Sequence, residues 1–123
     1  MNKNYFISVR SESTRLNQKA LLKINDKSTI EYLIENIKKS NYSSNIILCT
    51  TNREADDIFE KIATNHQIKI FRGSSEDKIK RWHDCCIKYK VDFFVNIDGD
   101  DLFFDYKLGD KILDEYSMYD FVD

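Results

Sequence analysis

The segment that decides the fold is an apolar run followed at once by a cationic loop, Tyr5–Lys19, which reads YFISVRSESTRLNQK. The run Tyr5–Val9 is short and almost wholly apolar, as expected for a strand that is covered on both faces. The loop after it carries two arginines and a lysine with hydroxyl side chains between them. Guanidinium and ammonium groups suit polyphosphates. The pattern predicts an anion site, although a solvated turn can have the same composition.

The position of this loop favours the anion site over the solvated turn. In open α/β sheets, ligands bind outside the carboxyl ends of the strands. The loop contains neither the G-x-x-x-x-G-K-[ST] motif nor the G-x-G-x-x-G motif. Side chains rather than glycine-backed amides would therefore have to hold the phosphates.

Apolar runs alternate with segments of helical periodicity along the rest of the chain. The predicted strands are Tyr5–Val9, Asn45–Thr50, Ile68–Phe71 and Val91–Ile97, with a further strand starting at Tyr119–Val122. Predicted helices begin at Ser28 or Thr29, at Thr51 or Asn52, at Ser75 and at about Lys107. The second helix would bury Ala55, Ile58, Phe59 and Ile62, and the third Ile79, Trp82, Cys86 and Tyr89. The alternation predicts a doubly wound α/β layer fold with a mainly parallel sheet.

Length and composition limit the possible functions. The 123 residues suit one domain, 1–123, and the net charge of −2 argues against non-specific nucleic-acid binding. No run approaches the roughly 20 apolar residues of a membrane span, so we expect a cytoplasmic protein without a membrane partner. The three cysteines, Cys49, Cys85 and Cys86, lack a metal-binding spacing and are interpreted as core residues.

Acidic residues crowd the end of the fourth predicted strand, at Asp98, Asp100, Asp101 and Asp105. Neighbouring carboxylates repel one another unless they share a cation, and Mg²⁺ is the hard ion that such a site favours. An Asp-Gly turn with solvated acids is the alternative. If the strand ends are neighbours, these acids face the cationic loop, and the two together would suit a nucleotide and its metal.

A third polar segment, with Arg72, Asp77 and Arg81, follows the third predicted strand. These side chains could contribute to the same cleft. Equally, Asp77 and Arg81 are spaced for an ion pair on a helix surface. His66 and His83 are far from each other in the sequence and belong to no metal-binding cysteine pattern, and no Ser-His-Asp or Cys-His motif can be recognised. Covalent catalysis is therefore not indicated.

Three motifs in order resemble the cytidylyltransferases that make CMP-activated sugars. They are I-S-V-R-x-x-S-T-R-L-x-x-K from Ile7, F-R-G-S-x-E-D from Phe71, and N-I-D-G-D-D-x-x-x-D from Asn96. The similarity covers nearly the whole chain. It is closest to the spore coat polysaccharide biosynthesis type, which is related to the acylneuraminate and 3-deoxy-manno-octulosonate cytidylyltransferases.

The resemblance implies a three-layer α/β/α, Rossmann-like nucleotide-diphospho-sugar transferase fold, of which this chain is expected to be the N-terminal half, truncated at the C-terminus. It implies Mg²⁺-dependent transfer of CMP from CTP to a sugar acid or sugar phosphate, for cell-surface polysaccharide synthesis. The implied catalytic residues are Arg15, Lys19 and Asp100, with Asp100 as the metal ligand. The implied nucleotide-binding residues are Arg10, Ser13, Arg15, Lys19, Arg72, Asp77 and Arg81.

Two other functions remain open at this point. The chain could be a non-catalytic nucleotide-binding or association fragment of such an enzyme, and a homodimer is possible. A flavodoxin-like or receiver-like signalling domain would share the architecture. The cationic first loop argues against the receiver hypothesis, because a receiver domain needs acidic residues there.

Overall fold

The computed structural model describes residues 1–11 and 19–116. Its strands are β1 (Lys3–Ser8), β2 (Lys23–Ile24), β3 (Lys27–Ser28), β4 (Ile46–Thr51), β5 (Lys69–Gly73) and β6 (Phe93–Asp98). β1, β4, β5 and β6 form a parallel sheet in the order β5-β4-β1-β6. The predicted strand at Tyr119–Val122 lies outside the described residues.

The helices are α1 (Thr29–Ile37), α2 (Asp57–Asn65), α3 (Lys78–Tyr89) and α4 (Tyr106–Tyr116). The contacts of alternate residues of β1 show which helices cover each face of the sheet. Tyr5 and Ile7 pack with residues of α1, α2 and α4 on one face, whereas Phe6 packs with residues of α3 on the other. The predicted three-layer α/β/α fold with a parallel sheet is therefore confirmed.

Local signals explain how the first crossover begins. β2 and β3 form a two-residue hairpin in which Asn25 and Asp26 both have positive φ, 54° and 70°, as a type I′ turn requires. Ser28 then caps α1, as predicted, and its backbone N–H donates to Glu31 Oε1 at 3.2 Å. This capping box fixes the start of the helix that leads to β4.

The predicted start of the second helix is wrong. Thr51 belongs to β4, and a 3₁₀ turn over Glu54–Asp56 precedes α2. Ala55 lies in that turn rather than in the helix and is exposed, as is Ile58 in the first turn of α2, whereas Phe59 and Ile62 are buried as predicted. The side chain of Thr51 points instead to the buried carboxylate of Asp56.

The predictions for the third helix also need correction. β5 continues through Arg72 and Gly73, beyond the predicted strand end at Phe71, and the cap of α3 is Asp77 rather than Ser75. Asp77 Oδ1 accepts from the Lys80 amide at 3.0 Å. With the helix begun here, its fully buried positions are Arg81 and Cys85, while Ile79 is 68% exposed. Trp82, Cys86 and Tyr89, the other members of the predicted stripe, are half-buried.

The strand order places a topological switch beside β1. β1 connects to β4 on one side, and after β5 the chain returns to place β6 on the other side of β1, with Ser8 opposite Asp98. Ligands in open α/β sheets bind at such a reversal, outside the carboxyl ends of the strands. Within the described residues, no helix has the length and apolar content needed to cross a bilayer.

Candidate functional site

An open cavity of about 480 Å³ lies at the carboxyl ends of β1 and β6, at the switch point of the sheet. β1 and the residues after it supply one part of its wall, the end of β6 supplies a second, and the first turn of α3 supplies a third. The cationic lining residues are Arg10, Lys19, Lys78 and Arg81, and the acidic ones are Glu76, Asp98 and Asp100. The sheet topology thus brings together groups that are distant in sequence.

Arg81 is the most unusual residue of this wall, because its side chain is only 3% exposed. Its Nη1 donates to the carbonyl of Ser74 at 3.0 Å, and its buried Nε has no hydrogen-bond partner within residues 1–11 and 19–116. Burial, together with the nearby positive charge of Arg10, lowers the pKa of Arg81. A buried guanidinium beside a second cation is costly unless an anion compensates for it.

The guanidinium of Arg10 is held by a hydrogen bond on the opposite side of the cavity. Val9 separates Arg10 from the end of β1, and Arg10 Nη1 donates to the carbonyl of Ser75 at 2.6 Å. That bond draws the guanidinium across towards the loop before α3, where Arg81 holds the neighbouring carbonyl of Ser74. The two arginines therefore converge on one loop from β1 and from α3, and both line the cavity.

The end of β6 places acids beside these cations. Asp98 and Asp100 line the cavity, and Asp98 Oδ1 lies 3.6 Å from Lys78 Nζ. Asp101 and Asp105 have local roles instead: they accept from the backbone N–H groups of Phe103, at 3.0 Å, and Lys107, at 2.9 Å. The four acids predicted as one cluster are thus divided. No group of three or more potential metal ligands occurs in the part of the chain that is described.

Gly99 allows the ends of β1 and β6 to meet. Its N–H donates to the carbonyl of Ser8 at 2.9 Å. A Cβ at this position would lie 2.8 Å from both Cβ and Cγ2 of Val9, closer than packed carbon atoms allow. A glycine is needed here for this close approach, and the residues on either side of it, Asp98 and Asp100, line the same cavity as Arg10.

A polar chain that the sequence did not reveal backs the cavity on the α3 side. The hydroxyl of Ser8 accepts from Trp82 Nε1 at 2.9 Å and donates to Asn96 Oδ1. Lys78 Nζ lies 5.0 Å from the centroid of the Trp82 ring. Trp82 therefore links the wall of the cavity to the core instead of serving only as an apolar packing residue.

The structure brings together four of the predicted site residues: Arg10, Lys19, Arg81 and Asp100. Ser13 and Arg15 lie outside the described residues, so their roles stay predictions.

Arg72 and Asp77 are not brought to the cavity. Arg72 donates to the backbone carbonyls of Thr51 and Arg53 at 2.9 and 2.7 Å, and its Nη1 lies 2.8 Å from a carboxylate oxygen of Asp57. Asp77 caps α3. The alternative ion pair with Arg81 is not formed either, because the guanidinium of Arg81 turns inwards to Ser74.

The chain matches the cytidylyltransferase family over residues 5–121. It is 34% identical to an uncharacterized protein of Methanocaldococcus jannaschii, over 85% of this chain and 43% of that protein. It is also 26% identical to the spore coat polysaccharide biosynthesis protein SpsF of Bacillus subtilis, over 96% of this chain and 52% of that protein. The chain thus spans about half the length of the curated relatives that it matches.

Solved structures give the same result. A cytidylyltransferase from Leptospira borgpetersenii superposes with a TM-score of 0.89 at 32% identity, over 96% of this chain and 50% of that one. CMP:2-keto-3-deoxy-manno-octonic acid synthetase, solved as a complex with CTP, superposes with a TM-score of 0.75 at 19% identity. That match covers 96% of this chain and 48% of the other, and it supports the fold. The resemblance seen in the three sequence motifs is confirmed, and the chain belongs to the cytidylyltransferase family.

Proposed function

We propose that the cavity between β1 and β6 binds CTP, and that the protein transfers CMP from CTP to a sugar acid or sugar phosphate, with release of pyrophosphate. The observation that carries this proposal is the convergence of Arg10 and the buried Arg81 on one open cavity that also contains Lys19. Such a set of cations suits the triphosphate of a nucleotide. The family match supports cytosine as the base.

The acceptor class is supported by the relatives. SpsF is named for the synthesis of spore coat polysaccharide, and the structural neighbour that was solved with CTP acts on an eight-carbon keto sugar acid by its name. On this basis the product would supply cell-surface polysaccharide synthesis. The cytoplasmic location and the homodimer remain predictions.

The residues at the end of β6 suit Mg²⁺. Mg²⁺ is commonly bound by one or two carboxylates together with the phosphates of its substrate, and Asp98 and Asp100 line the same cavity as the arginines. We propose Asp100 as the principal ligand, with Asp98 beside it. When bound, the ion would neutralise charge on the phosphate oxygens.

In the proposed reaction, an acceptor oxygen attacks the α-phosphorus of CTP in line with the departing pyrophosphate. Arg10, Lys19 and Arg81 bind the phosphates and stabilise the charge that builds up as the bond to pyrophosphate breaks. Arg15 is expected to act with them. The reaction needs no nucleophilic side chain, in agreement with the lack of a nucleophilic motif in the sequence.

Measurement of pyrophosphate release from CTP and a sugar acid tests this proposal. Asp100→Asn should lower release by at least about a hundredfold, since it removes a charged ligand from the centre of the reaction. Asp101→Asn is the matched control: it changes the neighbouring carboxylate, which does not line the cavity, and should lower release by less than about threefold. Equal effects of the two substitutions would contradict the assignment. CTP binding with no release by the wild type would favour the non-catalytic nucleotide-binding alternative.

A further inference from the structure

A second polar cluster lies just behind the start of the cationic loop, around the carboxylate of Asp56. Asp56 ends the 3₁₀ turn before α2, and its side chain is fully buried. It accepts hydrogen bonds from the backbone N–H of Ser11 at 2.6 Å, from the Ser11 hydroxyl at 2.8 Å, and from the hydroxyl of Thr51. The carboxylate thus joins the end of β4 to the loop that follows β1.

Arg53 completes the hold on Ser11. Its Nη2 donates to the Ser11 carbonyl and lies 3.6 Å from Asp56 Oδ2. Both the N–H and the C=O of Ser11 are therefore bound by side chains that lie more than forty positions further along the chain. Few loop residues have both backbone groups fixed by side chains, because most of these groups bind water or other backbone groups.

Arg72 supports this arrangement from the other side. Its Nε donates to the Thr51 carbonyl and its Nη2 to the Arg53 carbonyl. These two bonds fix the turn that carries Thr51 and Arg53 towards the cluster. The position of Arg72, away from the cavity, is thereby explained by its contacts with the segment that holds Ser11.

The connection to the cavity is direct, since Ser11 is the next residue after Arg10. Fixing the peptide of Ser11 limits the directions in which the Arg10 side chain can leave the backbone, and Arg10 reaches the carbonyl of Ser75 across the cavity. We propose that Asp56 is a positioning residue for the triphosphate site, which holds Ser11 so that Arg10 meets the anion. This inference rests on the proposed function.

Titration calorimetry with CTP and MgCl₂ tests the inference. Asp56→Asn should weaken CTP binding roughly tenfold, because a small displacement of a charged ligand-binding group has an effect of that order. Asp110→Asn is the matched control. Asp110 is also buried and accepts from Tyr5 Oη at 2.6 Å and from the Asn41 amide at 3.0 Å, but it does not line the cavity. This control should leave CTP affinity within about twofold of the wild type.

A double-mutant cycle separates positioning from general destabilisation. Arg10→Ala should weaken CTP binding strongly in the wild type and only slightly in Asp56→Asn, because Arg10 is already displaced there. Additive effects of the two substitutions would overturn the inference. If Asp56→Asn does not fold, Thr51→Val, which removes one hydroxyl donor at nearly constant volume, takes its place in the same cycle.

A ligand-free measurement distinguishes failure of this inference from failure of the proposed function. Amide exchange at Ser11, followed by NMR, should accelerate at least about tenfold in Asp56→Asn and not in Asp110→Asn. If the wild type binds no CTP, the proposed function fails, and the same variants are titrated with inorganic tripolyphosphate. If Asp56→Asn binds tripolyphosphate more weakly than the wild type and Asp110→Asn does not, the positioning role of Asp56 is still supported. Equal tripolyphosphate binding by all three proteins, no binding by any of them, or unchanged amide exchange at Ser11 would overturn that role.

Discussion

Replacing Arg81 with methionine should leave the stability of the fold nearly unchanged and weaken the site. Arg81 is 3% exposed, its guanidinium makes one hydrogen bond within the described residues, from Nη1 to Ser74 at 3.0 Å, and it lies near the positive charge of Arg10. Methionine keeps an unbranched stem of similar reach and removes the buried charge. Replacing buried charges with well-packed apolar groups is commonly neutral or stabilising by about 1–4 kcal/mol, while the lost hydrogen bond costs about 1.5–3 kcal/mol. The two effects nearly cancel, so we expect the free energy of unfolding to change by no more than about 2 kcal/mol in either direction.

CTP affinity, by contrast, should fall clearly. A hydrogen bond from a charged donor contributes about 1.5–3 kcal/mol, so Arg81→Met should weaken CTP binding by about ten- to a hundredfold. Urea unfolding followed by circular dichroism measures stability, and titration calorimetry measures affinity. Lys80→Met is the control, because Lys80 is exposed on the same helix and forms an ion pair with Asp84 on the helix surface. It should change stability by less than about 0.5 kcal/mol. Destabilisation by more than about 3 kcal/mol with unchanged CTP affinity would refute the reasoning.

Two further predictions concern Gly99 and Asp56. Gly99→Ala should destabilise the fold by about 1–3 kcal/mol in urea unfolding and weaken CTP binding, because its Cβ would lie 2.8 Å from Val9. Val9→Ala in the same chain should restore part of the stability and part of the CTP affinity. No recovery would show that the clash lies elsewhere. Burial would raise the pKa of Asp56, but hydrogen bonds from Thr51 and Ser11 outweigh it and lower the pKa below its ordinary value of 3.8. The ionised carboxylate therefore contributes stability above pH 3.8 that is lost as the pH falls through the depressed folded value. The stability difference between wild type and Asp56→Asn should shrink between pH 5 and pH 2, and a constant difference would contradict this account.

The order of elements could be predicted from the sequence because each has a strong local signal. The central strands each contain a short apolar run, and Ser28 with Glu31 forms a capping box that marks the start of α1. The start of α3 was missed because Ser75 and Asp77 are both plausible caps. Only the folded loop, in which Ser74 receives a bond from Arg81 and Ser75 one from Arg10, decides between them.

The site was only partly predictable for a related reason. Arg10 and Asp100 closely follow the ends of β1 and β6, and Lys19 lies further along the chain segment after β1, so the rule for open sheets brings them to one edge. The burial of Arg81 contradicts the usual exposure of arginine, and periodicity alone could not indicate it. Asp56 was missed because its partners lie at Ser11 and Thr51. Only the parallel pairing of β1 with β4 makes them neighbours.

The measurement that tests the central claim most directly is titration calorimetry of the 123-residue chain with CTP and with ATP, each with and without MgCl₂. The account predicts binding of CTP that is strengthened by Mg²⁺, weaker binding of ATP, and loss of most of the CTP affinity in Arg81→Met but not in Lys80→Met. A folded chain that binds neither nucleotide would contradict the claim that the cavity between β1 and β6 is a nucleotide site.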